Sequence, residues 1–162
     1  MPDAVQEQPE TAETVRRFAD LSTADRVLVV GAAGIASSLE PHVREVVETE
    51  ADRLIDLPFP RGSFDVVATI GTLHHVRRPE LAVAELARVT RLGGRLLVAD
   101  RLGSIDPLTA IELDRLERES DPAHTRFLPD ADMRGLFDAN GLVLLRSQVD
   151  ARTGTGWYLL RR

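Results

Sequence analysis

Arg26-Val-Leu-Val-Val30 runs without a polar break into Gly31-Ala-Ala-Gly34, and no other feature limits the fold of this chain as strongly. A strand with one wet face alternates apolar and polar residues. An unbroken apolar run predicts instead a strand buried on both faces, as in a parallel sheet. The glycines supply a tight turn at its end. A short helix follows and must stop near Pro41, which has no N–H for the helical ladder.

The rest of the chain repeats that alternation. Residues 45–49 and 64–70 read as further strands, separated by the turn-rich Asp56-Leu-Pro-Phe-Pro-Arg-Gly-Ser63. Pro79 opens a helix to residue 91 with Ala82, Leu86 and Val89 on one face, and Gly93-Gly94 provide its stop. Residues 95–99 make the next strand, with Asp100 at its carboxyl end. Residues 108–119 and 130–140 read as helices, the second closed by Gly141. Strands at 142–146 and 157–160 form a hairpin across a polar turn. At the other end, residues 1–10 read as a loose tail, and 11–21 as a helix through Val15, Phe18 and Ala19. The pattern predicts an α/β fold: a Rossmann-like, doubly wound, mostly parallel sheet of about six strands with a C-terminal antiparallel hairpin.

Composition narrows the function. At 162 residues with 43% apolar content, the chain suits one domain, taken as residues 11–162. No apolar run approaches the about 20 residues that cross a bilayer, and the acidic start is unlike a signal peptide, so a cytoplasmic protein with no membrane partner is expected. The absence of cysteine excludes disulfides, thiolate metal sites and a cysteine nucleophile. A net charge of −6, with arginines scattered singly or in pairs, argues against nucleic acid.

Four segments in fixed order then carry a resemblance: Asp56 to Val67, Leu73-His-His-Val76, Glu85-Leu-Ala-Arg-Val89 and Leu92-Gly-Gly-Arg-Leu96. With them the chain resembles class I S-adenosylmethionine (SAM) dependent methyltransferases of the quinone-biosynthesis kind, over residues 18–145. The resemblance implies SAM as cofactor and a small-molecule acceptor. Gly31, Ala33 and Gly34 would sit against the methionine part, and a helix starting near Gly34 would aim N–H groups at its carboxylate. Glu50 would bind the ribose hydroxyls, with Glu48 as the alternative. Arg53 falls where the family carries an acid for the adenine amino group, and Asp52 is one step away. His74 or His75 would be the general base. The two are read as strand residues facing opposite ways, so no metal site is expected of them. Glu85 and Arg88 read as a surface pair.

The chain also departs from the family pattern. Val29 replaces an acid, and Ala33 and Ile35 replace two glycines, Ile35 being ill suited to positive φ. A helix and a strand usually found before Asp56 are missing. A second reading follows, a methyltransferase-like binding module without cofactor, since it explains these losses together. The shortened sheet edge is expected to leave Val46 or Val47 facing water. A homodimer would cover it, or else the N-terminal helix, folding across, would leave a monomer.

Overall fold

Val27, Leu28, Val29 and Val30 are fully buried, as an unbroken apolar run requires. The computed structural model describes residues 4–162, with side chains from Glu10 onward. Its strands are β1 (Arg26–Val30), β2 (Glu45–Thr49), β3 (Phe64–Ile70), β4 (Thr90–Arg101), β5 (Val143–Asp150) and β6 (Thr155–Arg161). They form one sheet in the order β2-β1-β3-β4-β6-β5. The first four run parallel, and β6 lies antiparallel to both β4 and β5. The expected fold class holds, with β1 flanked by β2 and β3.

Alternation along each strand sends side chains to two cores. Leu28, Val30, Val67, Leu96, Val98 and Leu160 pack under α3 (Pro79–Val89) and α5 (Asp130–Ala139), against Ala82, Leu86, Met133 and Phe137. Val27, Val29, Val66, Ala68, Leu97 and Leu159 face the other way, under α1 (Ala4–Phe18) and α2 (Ala36–Leu39), against Val15, Phe18 and Leu39. Each of these side chains larger than alanine contributes about 1.5–3 kcal/mol on burial, so the doubly covered centre is the stable part of the domain. The remaining helix, α4 (Pro107–Ser120), has no buried residue and stands outside both cores.

Several boundaries differ from expectation. The first helix starts at Ala4, taking in most of the supposed tail, while residues 1–3 lie outside the described residues. α3 ends at Val89, because Thr90 turns extended and its hydroxyl donates to the Leu86 carbonyl at 2.7 Å. Gly93 and Gly94 therefore lie inside β4, at the register break opposite Asp65, and do not stop the helix. Between β2 and β3 there is only the one-turn segment Ala51–Arg53 and loop, so β2 is an outer strand. Val46 and Val47 are each half-buried against one core, so the chain itself covers part of the face expected to meet water.

Candidate functional site

The carboxyl ends of β1, β2 and β3 meet at two turns. After β1, Gly31 and Gly34 take φ of +82° and +88°, values that favour glycine. A Cβ on Gly31 would collide with the methyl of Thr72, which is 2% exposed and joined by its hydroxyl to Thr69. Ile35 has φ −79° and lies in the core, so the sequence departure there carries no strain. The turn's amides are largely engaged: Gly31 N–H donates to Thr49 O at 3.0 Å, Ile35 N–H to Ala32 O at 3.4 Å, and Gly34 N–H to Glu48 Oε1 at 3.0 Å. Glu48 thus stands where an external carboxylate was expected.

Beside this turn lies a cavity of about 390 Å³ lined by Gly31, Ala33, Glu48, Thr49, Glu50 and Ala51. A second, of about 510 Å³, starts at Ala51 and Asp52 and is walled mainly by apolar groups, including Leu54, Ile55, Val76 and Ala123. Ala51 belongs to both. A third, of about 350 Å³, opens where β3 ends near α1 and the C-terminal hairpin, between Phe18, Ile70, Trp157 and Gln148.

The turn after β3, Leu73–His75, is helical, which overturns the expectation that the two histidines face opposite ways. Successive residues there rotate by about 120° and not 180°, and the His74 and His75 ring centroids lie 4.0 Å apart. Asp100, 3% exposed, accepts from His74 N–H at 3.1 Å and contacts His74 Nδ1 at 2.6 Å. Burial depresses the His74 pKa, but the hydrogen bond and charge of Asp100, with Asp121 and Glu117 beyond, raise it on balance above the ordinary value. His75 Nε2 meets Asp121 Oδ2 at 2.5 Å, and that hydrogen bond is the main cause of a lowered Asp121 pKa.

The structure thus gathers Gly31, Ala33 and Glu50 around one cavity, with Gly34 bonded to its lining residue Glu48, and Asp52 with His75 around the next. Arg53 is exposed on the same short turn and lines neither cavity. His74 lines neither cavity, and its ring lies tilted against that of His75. The sequence reading missed the carboxylate partners of the histidines, although Asp100 stood out as a strand end. Those pairings span 26 and 46 residues of chain, and the doubled histidine in a turn was the available signal. Glu85 and Arg88 do more than pair with each other at the surface. Arg88 donates to the Leu57 and Phe59 carbonyls at 3.0 and 2.8 Å, while Glu85 accepts from Leu57 N–H at 3.0 Å, so the pair pins the loop before β3.

Residues 11–98, more than half of the chain, match the family described as methyltransferase domain. The chain is 28% identical over 152 residues to the uncharacterized methyltransferase YcgJ of Bacillus subtilis (strain 168), covering 78% of this chain and 60% of that protein. It is 31% identical over 90 residues to the 27-O-demethylrifamycin SV methyltransferase of Amycolatopsis mediterranei (strain S699), covering 51% and 33%. The chain therefore spans less than two thirds of the length of these relatives. The crystal structure of YcgJ superposes with a TM-score of 0.77 at 19% identity, covering 94% of both chains. The 1,6-didemethyltoxoflavin-N1-methyltransferase of Burkholderia thailandensis, solved with 1,6-didemethyltoxoflavin and S-adenosylhomocysteine, gives 0.72 at 14% identity, covering 98% of this chain and 79% of that one. At such identities the likeness shows the fold.

Proposed function

The chain belongs to the methyltransferase domain family, and from that premise we propose that it binds SAM and transfers its methyl group to a small-molecule acceptor. The carrying observation is the pair of cavities that share Ala51 at the carboxyl ends of the parallel strands, where open α/β sheets bind ligands. SAM is itself linear: methionine, ribose, adenine. With methionine toward the β1 turn and ribose hydroxyls on Glu50, the adenine falls beyond Ala51 into the apolar slot. Asp52 lines that slot and would accept from the adenine amino group. Gly31 and Ala33 line the first cavity and would face the methionine part.

When bound, SAM supplies the electrophilic methyl group. The protein's part is to align the acceptor and exclude water. The Phe18, Ile70 and Trp157 cavity is assigned to the acceptor, because it lies on the α1 side of the sheet, as do Ala32 and Ile35 of the methionine turn. Phe18 and Trp157, with ring centroids 6.1 Å apart, suit a planar acceptor, and Gln148, Asp150 and Arg152 on the same lining suit polar groups at its edge. His75 lines the adenine slot, so this arrangement makes the histidines part of the cofactor side and withdraws them as general base.

The second reading, a binding module without cofactor, draws support from Glu48, whose carboxylate already holds Gly34 N–H. Calorimetry with SAM and its demethylated product separates the two. Micromolar binding of both is expected, and no heat at millimolar ligand would leave the module.

A further inference from the structure

One polar atom from each of His74, His75 and Asp121 lies within 4.8 Å of the others, and all three side chains are half-buried. Two of them are already aimed through their other polar atom. His74 Nδ1 meets Asp100 Oδ1 at 2.6 Å, and Asp121 Oδ1 accepts the Ala123 N–H at 3.1 Å, leaving Asp121 Oδ2 toward His75. Metal-bound histidines are held in this manner, with the ring nitrogen away from the ion fixed by a carboxylate. The backbone is tied down too. Thr125 and Arg126 N–H groups donate to the His74 carbonyl at 2.7 and 3.2 Å, and the Thr125 hydroxyl donates to the His75 carbonyl at 3.2 Å. The loop bearing Asp121 is therefore fastened to the turn bearing both histidines. Ordinary histidine–carboxylate bonding explains each pair by itself, but not the convergence of both rings on Asp121.

We propose that this corner binds a divalent transition-metal ion through His74, His75 and Asp121, with Asp100 orienting His74 from behind. Two imidazoles and one carboxylate suit Zn²⁺, Co²⁺, Ni²⁺ or Fe²⁺, whereas Mg²⁺ and Ca²⁺ favour oxygen ligands. The ion takes the place of the proton that His75 and Asp121 share, and these two part slightly to span it. Three protein ligands leave at least one position open. Because His75 also lines the slot beyond Ala51, ion and slot ligand influence each other. That consequence rests on the adenine reading above; the metal site does not.

The test uses protein without cofactor, titrated with Co²⁺ by visible absorbance and with Zn²⁺ by calorimetry. One ion per chain is expected, bound in the micromolar range, with no response to millimolar Mg²⁺. His75→Ala, His75→Gln and Asp121→Asn should each weaken binding at least about tenfold, and Asp100→Asn about 10- to 100-fold. Glu45→Gln, which disturbs the distant Arg26 pair at 2.7 Å at the start of β2, should leave it unchanged. Thermal melts confirm that each variant folds. Absence of binding below millimolar Co²⁺, or binding indifferent to His75→Gln and Asp121→Asn in folded protein, overturns the site. A SAM titration without metal tests the functional reading separately, and one with saturating Zn²⁺ should show weaker SAM binding.

Discussion

The turn after β1 and the turn after β3 lie against each other through Gly31 and Thr72, yet they treat polar groups in opposite ways. In the first, the Gly31, Gly34 and Ile35 amides are answered within the chain, one of them by a carboxylate from the neighbouring strand. In the second, both rings are held by carboxylates from distant parts of the chain, His74 Nδ1 by Asp100 and His75 Nε2 by Asp121. A glycine turn depends on backbone geometry, and here that geometry survives with two of three expected glycines gone. The histidine turn depends on side chains brought from distant parts of the chain. Backbone shape is thus kept at the first turn, and side-chain pairing is concentrated at the second.

The largest expected effect tests the contact that joins them. Gly31→Ala must place a methyl group at φ +82° against Thr72. The left-handed backbone costs about 1–2 kcal/mol and overpacking about 1–3, so denaturant unfolding should show a loss of about 2–5 kcal/mol. Thr72→Ser removes the offending methyl and keeps the hydroxyl that meets Thr69. In the double variant it should restore part of the loss, a coupling of about 1 kcal/mol or more. Strictly additive effects would mean that the two turns do not lean on each other.

A smaller effect separates the two acids at the end of β2. Glu48 is occupied by Gly34, while Glu50 lines the cavity without such a contact. Glu50→Ala should therefore weaken SAM by about 1.5–3 kcal/mol, the range for hydrogen bonds to a charged group. Glu48→Ala should change affinity by less than about threefold. The reverse ranking in a calorimetric titration would make Glu48 the ribose ligand and the first turn less closed than its hydrogen bonds indicate.

What was legible in the sequence divides along the same line. The strands β1, β3 and β4 and the helix after Pro79 rest on local patterning, and those readings hold. Ends were harder: Gly93-Gly94 resembled a helix stop, but Thr90 ends the helix through its own hydroxyl and the glycines serve a register break in β4. The site was legible where it is backbone, at Gly31 and Gly34. It was illegible where it is side-chain pairing, at His74–Asp100 and His75–Asp121. No periodicity records which distant carboxylate a histidine will meet, and reading residues 74–75 as strand concealed that their rings adjoin.

The smallest effect lies in the connection between the two turns, where Glu85 and Arg88 pin residues 57–59. The hydrogen bond from Arg88, joined by Leu57 N–H and the Arg88 charge, outweighs burial and holds the Glu85 carboxyl below its ordinary value. A carboxyl so depressed stabilises the fold above its unfolded pKa of about 4.3, and that contribution fades as pH falls through the lower, folded value. Glu85→Gln keeps the shape and removes the charge, so it should reduce stability by about 1 kcal/mol at pH 7, the difference between a charged and a neutral hydrogen bond. On acidification toward about pH 3 the wild type gives up that advantage while the amide has none to lose, and the gap should narrow. Urea midpoints of both proteins at pH 7, 5 and 3 measure it. A gap of constant size would show that packing of the Leu57 loop, and not the Glu85 charge, fixes the ground between the turns. With no gap at any pH, Arg88 alone would be the clamp, through its bonds to the Leu57 and Phe59 carbonyls.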